Sequence, residues 1–158
     1  MTAGTRRPSH LIQRHEVAIW LADSVVKVVT YHNTTPQTAP LIRRYGVNIE
    51  ASRIGTFGQG FYTTTVPDPF FGDVTVPVAI RLRDPLIGHL DDIAVTMEQL
   101  VRRMNPIDGR LTPPVGRLIR REFLDAGYDG LVVHDAGGDG VDYVISIVNE
   151  AVRVVVDA

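Results

Sequence analysis

Three β-branched runs crowd the last third of the chain: Leu131 to Val133, Val141 to Val148 and Val152 to Val156. Each is short and largely apolar, the pattern of a buried strand rather than a helix. Upstream of them, helical and extended patterns alternate. Alternation early and strands gathered late predict a mixed α+β fold, not a regular βαβ repeat. A chain of 158 residues holds one domain with a real hydrophobic core and is too short for two. We expect residues 1–8 to form a flexible N-terminal tail and residues 9–158 a single folded domain.

Local patterns give the expected elements. Ser9 is suited to cap a helix that carries Leu11, Ile12, Ile19 and Leu21 and ends near Asp23. Val25 to Tyr31 reads as a first, mostly buried strand. Thr35-Pro36 opens a helix with Pro40 in its first turn, an apolar stripe of Leu41, Ile42 and Tyr45, and Gly46 as its left-handed stop. Val47 to Ser52 reads as a short extended piece, and Phe61 to Val66 as a strand ended by Pro67 and Pro69. Val76, Val78, Ile80 and Leu82, interleaved with Arg81 and Arg83, predict a half-buried strand. Asp91 to Met104 has helical periodicity. Pro113-Pro114 begins a further helix, with Val115, Ile119, Phe123 and Ala126 on one stripe and Gly127 as its stop.

Composition removes several classes of function. A net charge of −2 argues against a surface built wholly to grip nucleic acid. The absence of cysteine excludes disulfides, thiolate metal sites and a cysteine nucleophile. His134 and Asp135 are adjacent donors, too few for a metal centre, so no metal is expected. No apolar run approaches the roughly 18 residues of a membrane span. Thr5-Arg6-Arg7-Pro8 lacks the clean apolar region of an export signal behind it, so it reads as solvated tail. Lys27 is the only lysine, and all other cations are arginine, the planar bidentate partner of phosphate. Gly55, Gly58 and Gly60 do not form a Rossmann fingerprint, and no Walker lysine is present.

Three segments carry chemistry. The first is Tyr31-His32-Asn33-Thr34, and the second runs from Gly55 through Gly58-Gln59-Gly60-Phe61-Tyr62-Thr63-Thr64. The third joins Gly127-Tyr128-Asp129-Gly130 to Asp142-Tyr143-Val144-Ile145. A strand-end histidine and a strand-borne tyrosine suit a flat, cationic ring, and glycines let the backbone approach a ligand closely. In this order the segments resemble the ADP-ribosyltransferase superfamily, in the histidine–tyrosine–acid branch that includes poly(ADP-ribose) polymerases and diphtheria toxin. The resemblance spans residues 28–156.

The resemblance implies a split β-sheet core with flanking helices and a site that binds NAD as substrate and cuts its nicotinamide–ribose bond. It implies that His32 hydrogen-bonds a ribose hydroxyl and that the Asn33 backbone, beside Thr34, grips the carboxamide. Tyr62, entered through Gly60, would stack on nicotinamide for roughly 0.5–2 kcal/mol. Phe71 is the expected second aromatic, with Phe70 beside it. Asp142 stands where the family acid, usually glutamate, precedes its strand, with Glu150 and Asp139 as reserves. Asn33 replaces the family's usual glycine; asparagine is tolerant of positive φ. Arg53, with Arg43 and Arg44 behind it, is a candidate for the pyrophosphate. Gly140 stands where arginine-modifying members carry Gln or Glu, which counts against an arginine acceptor.

The loop His134 to Val141 corresponds to the acceptor-facing loop. The acceptor itself stays open between protein, nucleic acid and small molecule, and water would make the protein an NAD glycohydrolase. A non-catalytic NAD- or partner-binding module of the same fold is the other reading. The compact form resembles bacterial toxin and effector domains. That likeness implies action in the cytoplasm after delivery without a classical signal peptide, and an immunity protein as partner.

Overall fold

The computed structural model describes residues 8–157. The twin-arginine stretch and all but the last residue of the expected tail lie outside the described residues. The fold is mixed α+β, as the sequence predicts, on an eight-stranded sheet in the order β1-β10-β6-β2-β5-β9-β8-β7. In chain order the strands are β1 (Leu11–Gln13), β2 (Thr30–Thr34), β3 (Ile54–Gly55), β4 (Gly58–Gln59), β5 (Phe61–Thr64), β6 (Val74–Ile80), β7 (Pro85–His89), β8 (Gly130–His134), β9 (Tyr143–Ser146) and β10 (Val152–Val156). β3 and β4 form a separate small hairpin. The α-helices are α1 (Val17–Trp20), α2 (Ala39–Tyr45), α3 (Leu90–Met104) and α4 (Pro113–Asp125). No helix among the described residues is long and apolar enough to cross a membrane.

Strand pairing is antiparallel through the centre and parallel at both edges, where β1 joins β10 and β7 joins β8. Both faces are buried. One carries Val76, Val78, Ile80, Phe61, Val144 and Val154 under Ala39 and Ile42 of α2. The other carries Leu131, Val133, Ile145 and Ile147 under α3 and α4. The strand expected to be half-buried is therefore buried on both sides toward its end, since Ala79 packs with Ile12, Val17 and Leu21.

The long helices begin where their caps dictate. Thr112 Oγ1 accepts from the Val115 N–H at 3.4 Å, with Pro113-Pro114 filling the donor-poor first turn. The His89 imidazole accepts from the Asp91 N–H at 3.2 Å. Asp91 and Asp92 in the first turn of α3 and Arg102 and Arg103 in its last complement the helix dipole.

The described residues before β2 differ from expectation. Leu11 to Gln13 is a strand rather than the start of a helix, because its edge hydrogen bonds go to β10 and alternation buries Ile12. The helical part shrinks to a 3₁₀ turn at Arg14–Glu16 followed by Val17–Trp20. The run from Val25 is not a strand, which begins only at Thr30. Ser24 captures its backbone first, accepting from the N–H groups of Val26 at 3.2 Å and Leu82 at 3.0 Å. Lys27 then closes the turn onto the carbonyls of Ala22 and Ser24. Ile49–Ala51 is a 3₁₀ turn instead of an extended piece, because the Asn149 side chain takes the Ile49 N–H at 2.8 Å.

Ile119 is fully buried where α4 meets the β3–β4 hairpin; a Cβ on Gly58 would come within 3.0 Å of its Cγ2. Ile119→Ala should therefore lower the unfolding free energy by about 2–5 kcal/mol, read by urea denaturation. A loss under about 1 kcal/mol would mean that this contact does not organise the hairpin.

Candidate functional site

The sheet is nearly severed between β2 and β5. Tyr31 and Thr64 are the one residue pair that joins these strands, whereas β2 pairs with β6 over five positions and β5 with β9 over four. Past that pair the strands diverge, and a cavity of about 860 Å³ opens between them, within the usual size of small-molecule sites. Its lining brings together His32, Asn33, Thr34, Arg53, Gly60, Tyr62 and Phe71, residues scattered along the sequence.

His32 fills the gap where a ladder bond would otherwise lie. Its Nδ1 is 2.7 Å from the Tyr62 carbonyl, and its ring stacks on Phe61 with centroids 4.2 Å apart. A carbonyl only accepts, so Nδ1 carries the hydrogen and Nε2 presents a lone pair. Nε2 has no hydrogen-bond partner among the described residues. Burial holds the imidazole below the ordinary histidine range, partly opposed by the bond to Tyr62. At neutral pH, His32 is thus a neutral, oriented acceptor.

Tyr62 is immobilised at its far end. Its hydroxyl donates to the Gly58 carbonyl at 2.7 Å and accepts from the Phe57 N–H at 2.8 Å. Burial pushes the phenol far above its usual range, so it stays protonated. The ring lies directly on Gly55, where any Cβ would overlap it. This explains the first glycine of the hairpin: Gly55 clears room for the ring, and Gly58 supplies a positive φ of 91° for the turn.

Asn33 serves the cleft through its side chain rather than through unusual backbone. The described non-glycine residues with positive φ are Asp135 and Asp139, so the left-handed tolerance invoked for Asn33 is not used. Its Nδ2 donates to Thr64 Oγ1 at 2.9 Å and its Oδ1 accepts from the Asp68 N–H at 2.9 Å. That amide ties β2 to β5 and to the segment carrying Phe71. Thr34 is covered by Gly72, at which a Cβ would collide with the Thr34 backbone.

Phe71 is half-exposed at the cavity and meets Tyr143 edge-on at 5.9 Å, and Tyr143 meets Phe57 edge-on at 6.2 Å. Phe70 is largely exposed outside it. Burial, then the charge of Asp68, raises the Tyr143 phenol above its usual range. Tyr143, Leu41 and Tyr45 also line the cavity, beyond the site residues expected from the sequence. Strand alternation was signal enough for Tyr143: it pairs with Thr64, on the face of Tyr62.

Arg53 lies between this cavity and a second of about 580 Å³ that also contains Arg117. Arg43 and Arg44 are not in the lining, and Arg44 packs over the Tyr45 ring at 5.2 Å. Asp142 is also outside the lining, although its neighbour Tyr143 is inside it. Its Oδ1 accepts from the Asp135 N–H at 3.0 Å, and its Oδ2 lies 3.1 Å from His134 Nδ1. Its own N–H donates to Thr65 Oγ1 at 3.0 Å. Glu150 and Asp139 are likewise outside. Among the described residues no group of three or more His, Cys, Asp or Glu side chains is arranged to hold a metal ion. No known protein family matches the chain in sequence, and neither does any curated protein.

The lowered imidazole has a thermodynamic consequence. As pH falls, the unfolded chain protonates His32 near its ordinary value of about 6.5, before the folded chain does. Stability contributed by neutral His32 is full above that value, declines as pH falls toward the lower folded value, and then levels off. Urea unfolding of the wild type and of His32→Gln from about pH 8 to about pH 5 should show a steeper acid loss in the wild type. Parallel curves would mean that the folded imidazole titrates normally.

Proposed function

We propose that the protein is an NAD-consuming enzyme with an ADP-ribosyltransferase-like split sheet, cleaving the nicotinamide–ribose bond and passing ADP-ribose to an acceptor. The observation that carries this reading is the single-pair junction of β2 and β5, which puts a neutral, oriented imidazole and a fixed phenol ring on one cavity. Nicotinamide in NAD is a planar cation. The Tyr62 ring offers it a π face, with the Phe71–Tyr143 pair as the second aromatic wall. His32 Nε2 accepts from a ribose hydroxyl, the Asn33 and Gly60 backbones approach the carboxamide, and Arg53 takes the pyrophosphate.

As the C1′–N bond breaks, its electron pair leaves with nicotinamide and positive charge develops on the ribose. Asp142, one residue from the lining, supplies the stabilising negative charge. Each of its oxygens keeps a lone pair beyond its bond to Asp135 or His134. The acceptor is a protein, a nucleic acid or a small molecule; water makes the same site an NAD glycohydrolase. One observation favours a second reading, a binding module without turnover: the carboxylate of Asp142 is already engaged outside the cavity.

Mass spectrometry of NAD incubated with the protein separates the two readings. Nicotinamide release is the expected result; saturable NAD binding without release would support the module, and no binding would end both readings. Asp142→Ala should lower the release rate on the order of 10²-fold while leaving NAD affinity within a few-fold. An unchanged rate would remove Asp142 from the bond-breaking step.

A further inference from the structure

A polar row crosses the end of the sheet beside the cavity. Register aligns His89 of β7 with His134 of β8, and places His134 opposite Asp142, the residue before β9. The row ends at Thr65, whose backbone N–H donates to the Asp142 carbonyl at 3.1 Å and whose hydroxyl accepts from the Asp142 N–H. The next residues of two of these strands, Thr64 and Tyr143, line the cavity. The row thus lies one residue along the strands from two lining positions, on alternate faces.

The His134–Asp142 pair within it is directional. Carboxylate oxygens only accept, so the 3.1 Å contact puts the hydrogen on Nδ1 of His134 and a lone pair on Nε2. The His134 side chain is 50% exposed, and Nε2 has no partner among the described residues. Asp142 is itself held by the Asp135 N–H, which reaches it because Asp135 adopts a φ of 62°. The Asp135 carboxylate accepts from the Gly140 N–H at 2.8 Å and faces His89 Nε2 at 3.7 Å. His89 in turn is set by the Asp91 N–H of α3. Each element around the pair thus fixes the next, and the one basic nitrogen left outward is His134 Nε2. Non-glycine residues in the left-handed region are costly, and Asp135 and Asp139 both occupy it in this loop.

We propose that His134 is the general base of the transfer step and that its substrate is an oxygen nucleophile, a hydroxyl or water. The proposal rests on the NAD-cleaving reading. The acceptor oxygen bonds to C1′ as the C1′–N bond breaks with its pair going to nicotinamide, and the acceptor proton moves to His134 Nε2. The sum is NAD plus an alcohol or water giving the ADP-riboside or ADP-ribose, nicotinamide and a proton. Asp142 positions the imidazole in this step. A guanidinium acceptor gains little from an imidazole base, because its proton is held too tightly.

The test uses the full chain, NAD, and water or added methanol as acceptor, following nicotinamide, ADP-ribose and methyl ADP-riboside. General-base assistance is worth about 10²–10⁴-fold, so His134→Gln should slow product formation by at least about 10²-fold with NAD affinity unchanged. Added imidazole should restore turnover to His134→Ala. Combining His134→Gln with Asp142→Asn should cost no more than Asp142→Asn alone, since the two act as a unit. A retained rate in His134→Gln, or loss without imidazole rescue, would overturn the base while leaving NAD cleavage standing. A wild type that binds NAD but transfers to neither water nor methanol would overturn the oxygen-acceptor assignment, and one that binds no NAD would end the reading beneath it.

Discussion

The cleft exists because two strands decline to pair. An uninterrupted antiparallel ladder between β2 and β5 would place their backbones about 5 Å apart and leave no room for a ligand. Here a single pair, Tyr31 with Thr64, holds the sheet together, and the gap beyond it is bridged by side chains. The His32 imidazole reaches the Tyr62 carbonyl and the Asn33 amide reaches the Thr64 hydroxyl. Buried backbone polar groups need partners. Side chains that satisfy them at longer span open a sheet without orphaning it, and these same side chains then become the walls of the cavity.

The opening is kept in shape from behind. Arg120 of α4, 13% exposed at its side chain, donates to the Ile147 carbonyl at 2.9 Å, to Glu50 at 3.0 Å and to Gln59 at 3.4 Å. Asn149 donates to the other Glu50 oxygen at 3.0 Å. One guanidinium therefore connects α4, the β3–β4 hairpin and the 3₁₀ turn at Ile49–Ala51. The bonds from Asn149 and Arg120 hold Glu50 below its usual carboxylate range. Because Tyr62 hangs by its hydroxyl from the hairpin, this brace also fixes the aromatic face of the cleft.

Legibility from sequence follows the range of the forces involved. Helices α3 and α4 were readable because their caps and stripes are local, and Gly127, at a φ of 93°, follows α4. Helix α2 ends at Gly46 as expected but starts at Ala39 instead of Thr35-Pro36, and Leu41 and Tyr45 of its expected stripe are exposed. The late strands were readable from β-branched runs. Failures arise where a distant partner decides. Leu11–Gln13 is extended because β10 lies alongside it, and β7 has too few apolar residues to announce a strand without β8. At the site, the sequence pointed to His32, Tyr62, Phe71 and Arg53, which the fold brings to one cavity. It could not show that Asn33 works through its amide, that Tyr143 joins the lining, or that His134 claims an oxygen of Asp142. Each of these depends on strand register, and a shift of one residue would turn the side chain to the other face.

The position of the acid follows a further physical constraint. On the proposed reading, the ligand's positive charge resides on nicotinamide before the bond breaks and on the ribose while it breaks. A carboxylate lining the aromatic end of the cavity would stabilise the starting state as much as the transition state, and uniform binding gains nothing in turnover. Aromatic faces serve the ground-state ring with a weaker, geometry-dependent attraction. The Tyr62 and Tyr143 phenols are both shifted toward the protonated form, so neither adds negative charge there. On that reading, an anion just beyond Tyr143, bonded to Asp135 and His134 yet with lone pairs to spare, would meet the charge only where it arrives. On the same reading an aspartate suffices at this position if the acceptor's proton goes to His134, because the carboxylate then need not reach the nucleophile itself.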